Sequence, residues 1–140
     1  MGSKKLYTKR PQPPLVSNNT EYKQFLSFSW KHFESTKKFN IKKAKSTYLE
    51  QLVNKLQELS NKNSKELLTN SNYKKAFRMH PISWQDTTEN GFKNLPHYLQ
   101  DIQPWQFSIT ANKHGRIHGF FIDNTFYVVW FDPDHLLYSK

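Results

Sequence analysis

Three apolar segments close the chain, and they commit it to a β-sheet. "PWQFSITANK" (104–113) places Trp105, Phe107 and Ile109 at alternate positions, the period of a strand with one buried face. "GRIHGFFI" (115–122) and "TFYVVWFD" (125–132) follow, joined by Asp123-Asn124. Two residues of that kind accept the positive φ angles of a tight hairpin. Asp132-Pro133 then stops the last strand. Pairing across the turn sets Ile122 opposite Thr125, His118 opposite Val129 and Arg116 opposite Phe131. Side chains alternate across a strand, so Arg116, His118 and Phe120 share one face, joined by His114 if the strand starts that early.

The remaining chain supplies the layer that packs on this meander. "EYKQFLSFSWKHF" (21–33) alternates well enough for a half-buried strand, with Leu26, Phe28 and Trp30 on one face. "STYLEQLVNKLQELS" (46–60) is the clearest helix. Thr47 and Glu50 have the spacing of a capping box, and Leu49, Leu52, Val53, Leu56 and Leu59 form one apolar face. Residues 63–70 read as a second short helix capped by Ser64, with Leu67 and Leu68 inward. Residues 73–82 fit either a helix or a strand up to Pro81, and 83–103 read as loop with one short helical piece. The expected fold is α+β: a small antiparallel sheet, made of the N-terminal strand and the C-terminal three-stranded meander, with two helices on one face. Residues 1–20 read as a basic flexible arm, with Lys4, Lys5, Lys9 and Arg10 ahead of Pro11, Pro13 and Pro14; residues 21–140 form a single domain.

Charge divides unevenly along this layout. The net charge is +10; residues 1–80 hold 17 Lys and Arg against 5 acids, whereas residues 81–140 hold 4 against 6. Such asymmetry points to a polyanion, RNA or another nucleic acid, with Lys42, Lys43, Lys45, Lys55, Lys74, Lys75 and Arg78 as the candidates to meet phosphates. A lysine-rich composition that merely solvates every outer face is the simpler account of the same residues. With no cysteine, disulfides and thiolate metal sites are excluded. A cytoplasmic location is expected, with no membrane partner: no apolar run is long enough to span a bilayer, and nothing at the N-terminus resembles a secretory signal. Four glycines are too few and too scattered for a phosphate-cradling nucleotide motif, and no serine lies in a G-x-S-x-G setting.

The candidate chemistry lies where the apolar pattern is interrupted. His135 follows the Asp-Pro turn and can fold back beside Arg116, with His118 two residues further along that strand. A guanidinium can pair a phosphate through two N–H bonds, and imidazoles near neutrality can move protons at attacking and leaving oxygens. Arg116, His135 and His118 therefore suit phosphodiester chemistry. The plain alternative is that they are polar positions at a sheet end. His114, His118 and His135 with Asp132 or Asp134 could also ligate a metal, but no compact metal motif is present, and neither a metal nor another cofactor is expected.

Residues 104–138 resemble the RelE/YoeB-type ribonuclease toxins of bacterial toxin–antitoxin pairs: a Trp-led strand, an Arg-led strand, a short acidic turn, an apolar strand and a terminal His and Tyr. The resemblance implies a metal-independent endoribonuclease that cleaves RNA through 2′-hydroxyl attack. It gives Arg116 the phosphate-stabilising role and His135 that of the catalytic histidine, with Tyr138 nearby. It puts an acidic base in the loop before the Trp strand, where Asp86 and Glu89 both fit. It also implies a protein antitoxin and the ribosome as partners. This chain departs from the pattern in separating His135 from Tyr138, in its long segment 83–103 and in its basic arm. Two rival functions are a non-catalytic, basic nucleic-acid-binding accessory protein of a mobile element and a protein–protein module that inhibits a host enzyme.

Overall fold

The computed structural model describes residues 16–17, 19–109 and 115–138. The expected arm lies almost wholly outside the described residues, as does His114. Among the described residues five strands form one sheet: β1 (Ser27–Ser29), β2 (His80–Pro81), β3 (Pro104–Ser108), β4 (Arg116–Ile122) and β5 (Thr125–Asp132), in the order β1-β5-β4-β3-β2. The α+β class and the C-terminal meander stand as expected, but the sheet is mixed. β1 runs parallel to β5, with Phe28 beside Phe126. The expected strand over 21–33 contracts to three residues, because Thr20–Gln24 form a 3-10 turn and Trp30 leaves the ladder. The fifth strand is new: His80 pairs with Gln106 and Pro81 with Trp105 on the outer edge of β3. An edge is where a proline, lacking an N–H, fits a sheet.

Three helices, not two, follow β1: α1 (Ser46–Leu59), α2 (Ser64–Thr69) and α3 (Ser71–Phe77). The capping box is absent, because α1 begins at Ser46 and puts Thr47 inside its first turn; Lys45 at the cap makes no side-chain cap hydrogen bond. The buried face is also rotated from the expected one. Tyr48, Leu52 and Leu59 point inward, while Leu49 and Val53 are 40% and 64% exposed. Tyr48 takes the inward position because its hydroxyl has a partner there, donating to the carbonyl oxygen of Arg116 at 2.7 Å. Asn63, rather than Ser64, caps α2 by accepting from the Glu66 amide. Ser64 instead donates its hydroxyl to Asn124 Oδ1, which ties the helix to the hairpin turn. Asn70 caps α3, and Arg78 ends it in the left-handed conformation at φ 49°. Residues 73–82 thus divide into helix and then strand.

Both faces of the sheet are covered. Leu52, Leu59, Leu67 and Phe77 from the helices meet Phe107, Ile117, Phe126, Val128 and Phe131 in one cluster. On the other face Phe39, Ile82, Phe92, Leu95, Leu99 and Leu137, from irregular segments and two single 3-10 turns among 84–99, meet Phe120, Val129 and Trp130. Trp130 is stacked on Phe39 at 4.4 Å and donates its indole N–H to the buried carboxylate of Glu34 at 2.7 Å.

The hairpin register agrees with expectation only near its turn. Ile122 faces Thr125, but an irregularity at His118/Gly119 shifts the rest by one: His118 faces Trp130 and Arg116 faces Asp132, not Val129 and Phe131. Val129 is the additional residue, a β-bulge, and its carbonyl accepts the Glu34 amide at 2.9 Å. Gly119 sits opposite the distortion, where a Cβ would overlap the Tyr127 carbonyl oxygen. The bulge puts both Val129 and Trp130 on the irregular side and returns Phe131 to the helical side. Asp132 consequently joins Arg116 and His118 on one face.

Candidate active site

β4 carries Arg116 and His118 on the face away from the helices, and β3 carries Gln106 and Ser108 beside them. Arg116 is 7% exposed, and its Nη1 donates to Ser108 Oγ at 3.1 Å and to the Gly115 carbonyl at 3.0 Å, so the guanidinium is held in orientation. Burial, then the neighbouring Arg78 charge, lower its proton affinity, while Asp132 raises it; a guanidinium stays charged throughout the working range.

Asp132 organises the C-terminal turn. Its Oδ2 accepts His118 Nε2–H at 2.9 Å and the Leu137 amide at 3.0 Å, and its Oδ1 accepts the Leu136 amide at 2.7 Å. The His135 amide donates to the Asp132 carbonyl at 3.3 Å, and His135 takes the left-handed conformation at φ 54°. Burial opposes ionisation of Asp132, but the bonds from His118 and the two amides outweigh it and hold the carboxyl below its ordinary range. For His118, complete burial dominates the opposing pull of Asp132 and pushes the imidazole below the ordinary histidine range. The pair is therefore a carboxylate accepting from a neutral ring. Nδ1 of that ring has no partner among the described residues, which is tolerable for a lone pair and far costlier for an N–H.

Arg78, His80, Gln106, Arg116, His135 and Tyr138 line a cleft of about 290 Å³. The Tyr138 ring lies 6.0 Å from that of His80 and 5.9 Å from that of His135. Burial, then the charge of Asp86, raise the Tyr138 phenol above its ordinary range, so it is a hydrogen-bond donor at neutral pH. Of the three non-glycine residues with positive φ among the described residues, two, Arg78 and His135, are in this lining. Left-handed backbone outside glycine costs about 1–2 kcal/mol per residue, and such strain concentrates at functional sites.

The sequence candidates divide accordingly. Arg116, His135 and Tyr138 converge in the cleft, and Arg78 from the phosphate-binding group joins them. His118 does not face the cleft: it is fully buried and its Nε2 is committed to Asp132, so it cannot serve as a base toward a bound substrate. Glu89 is also removed from it, paired with Lys38 at 3.5 Å in a separate polar hollow. Asp86 is exposed and close enough to bias Tyr138, but it is not among the lining residues. Among the described residues no group of three His, Asp or Glu side chains is arranged to hold a metal ion. The lysines form two groups. Lys43 and Lys45 border a hollow of about 520 Å³ with Gly115 and Asp134, the chain neighbours of Arg116 and His135, and Lys42 lies in the same turn. Lys74 and Lys75 lead up to Arg78 in the last turn of α3. Lys55 is engaged elsewhere, 5.0 Å over the Phe77 ring and 3.2 Å from Glu58.

From the sequence alone His80, before Pro81, reads as a structural residue, and Gln106 is passed over. The available signal was the residue before a proline, which is biased to extended backbone and so suits an edge strand. Comparison with known proteins gives no matching family model, no significant match among curated proteins and none among solved structures. No helix among the described residues is long and apolar enough to cross a membrane.

Proposed function

We propose that this cleft binds an RNA phosphodiester and that the protein is a metal-independent endoribonuclease acting through 2′-hydroxyl attack. The observation that supports this most is the convergence of two guanidiniums, Arg78 and Arg116, with His80, His135 and Tyr138 in one small cleft whose described lining includes no carboxylate. Two guanidiniums lining one cleft attract an anion and repel a divalent cation. In this reading Arg116 neutralises charge developing on phosphorus, an effect often worth about 10²–10³ in rate. Arg78 and the Tyr138 hydroxyl orient the phosphate. His135 protonates the departing 5′-oxygen, a contribution typically worth about 10²–10⁴. The lysines on either side, Lys43 and Lys45 near Gly115 and Lys74 and Lys75 near Arg78, extend the electrostatic track for the flanking strand. An antitoxin and the ribosome remain the partners that the toxin resemblance suggests.

The test is cleavage of free and ribosome-bound RNA by the purified protein in the presence of EDTA. Products should end in 2′,3′-cyclic phosphate and 5′-hydroxyl. Arg116→Ala and His135→Ala should each remove most activity while circular dichroism stays native. Salt-sensitive binding to RNA with no cleavage by the wild type would overturn this reading and favour the non-catalytic binding protein.

A further inference from the structure

We infer that His80 is the general base of this reaction, a role that rests on the phosphodiester reading above. The ring is half-buried on the edge strand β2 and lines the cleft with Arg116 and His135. Its hydrogen bonds decide which nitrogen can accept a proton. Nδ1 lies 2.9 Å from the carbonyl oxygen of Pro81, which can only accept, so Nδ1 carries the hydrogen. Nε2 is then the basic nitrogen of the neutral ring, and it accepts from the Gln106 side-chain amide at 2.8 Å. A histidine with its proton fixed on the far nitrogen by a carbonyl, and its lone pair engaged only by an amide that itself lines the cleft, can abstract a proton once a substrate hydroxyl takes that amide's place.

Gln106 completes the argument. It is 2% exposed, and its Oε1 has no hydrogen-bond partner among the described residues. Its amide N–H can donate to Nε2 only while that nitrogen carries no hydrogen. A substrate 2′-hydroxyl that displaces this N–H from Nε2 takes over its place as donor. Once the proton has moved, rotation of the Gln106 amide by half a turn presents Oε1 to the new Nε2–H. One side chain can thus serve both protonation states, which is a reason for a buried amide to tolerate an unsatisfied acceptor.

The step balances. The 2′-hydroxyl gives its proton to His80 Nε2 as O2′ bonds to phosphorus; the bond from phosphorus to O5′ breaks, and O5′ takes a proton from His135. The products are a 2′,3′-cyclic phosphate and a 5′-hydroxyl, with the proton returned from His80 to His135 through water.

Leaving-group chemistry tests the assignment. A uridine 3′-(4-nitrophenyl phosphate) substrate needs a base at its 2′-hydroxyl but no acid at its leaving oxygen. His80→Ala should lose about 10²–10⁴ in rate on both RNA and this substrate. His135→Ala should lose that much on RNA and little on the nitrophenyl ester. Added imidazole should restore part of the His80→Ala activity on the ester. If instead His80→Ala is the variant that the activated ester rescues, or if it cleaves RNA at the wild-type rate, His80 is not the base. If the wild type cleaves neither substrate, the nuclease reading itself fails. His80→Gln, which keeps a polar side chain on the edge strand, should be as inactive as His80→Ala; full activity in it would overturn the proposal.

Discussion

The two faces of the sheet are built on different terms. The helical face is hydrocarbon apart from the Tyr48 hydroxyl: Leu52, Leu59, Leu67 and Phe77 against Phe107, Ile117, Phe126 and Val128. The opposite face is as well buried, yet it contains Glu34, Gln106, Ser108, Arg116, His118 and Asp132 among its aromatic rings. Regular helices cover the first and irregular chain covers the second. Irregular chain has amides that are not consumed by its own helix, and these satisfy the buried carboxylates. Lys93 and Asn94 donate to Glu34, and Leu136 and Leu137 donate to Asp132. A face meant to keep charged groups poised is therefore better roofed by loops than by helices.

The sharpest way to break this comparison is to exchange the consequences. His135→Ala should lower cleavage by about 10²–10⁴ with an unchanged melting temperature. Leu59→Ala, a fully buried helical-face residue, should cost about 2–5 kcal/mol of stability while the folded fraction cleaves at the wild-type rate. Thermal melts and single-turnover rates on the same preparations would separate the two, and equal effects of both variants on both readouts would end the division.

Asp132→Ala should act on both properties at once. It strands the His118 N–H and the amides of Leu136 and Leu137 in the interior, a loss of about 3–5 kcal/mol by analogy with other broken buried pairs, and it releases the turn carrying His135. Urea denaturation and activity should fall together.

Acid should weaken the irregular face first. His118 resists its proton in the fold because it is buried, whereas the unfolded chain binds one near about pH 6.5. Unfolding then takes up a proton, so stability present above about pH 6.5 is lost as pH falls toward the folded value, by at most about 1.4 kcal/mol per pH unit. Asp132, also held below its ordinary range, adds a further loss only once the pH falls below about 3.9. Denaturant midpoints at about pH 7 and 5 should differ less in His118→Gln than in the wild type.

The smallest effect sharpens the helical side. Leu49→Gln and Val53→Lys on the solvent face of α1 should each change stability by no more than about 0.5 kcal/mol. A loss of several kcal/mol at Val53 would mean that α1 faces the other way.

Much of this was legible in the sequence where the signals are local. The three C-terminal segments, their turn at Asp123-Asn124 and the helix over 46–60 follow from periodicity and turn chemistry. Arg116, His135 and Tyr138 could be grouped because one hairpin and one turn bring them together. Other features depend on distant partners. The parallel pairing of β1 to β5 links residues about a hundred positions apart and has no local mark. Leu49 and Tyr48 are both plausible inward residues until the Arg116 carbonyl is there to accept the phenol. The bulge at Val129 is silent in a run as uniformly apolar as "FYVVWF", although Gly119 opposite it was a hint. His80 was obscured because its strand is two residues long and exists only by pairing with β3.

Val129 also sets the parity of the strand that contains it. Each residue of β5 beyond it owes its side of the sheet to the bulge, so the hairpin reads like a message in which one letter must be skipped for the rest to make sense. If the ladder ran regularly through Val129 instead of bulging there, Phe131 would come to lie against Arg116, and the carboxylate that anchors the final turn would point into the hydrocarbon of the helices. Substitutions within the cleft alter single contacts, whereas ironing out the bulge with Val129 retained exchanges the two faces beyond it wholesale. Attempts to transplant this hairpin should therefore keep the bulge or, where they remove it, remove Val129 with it.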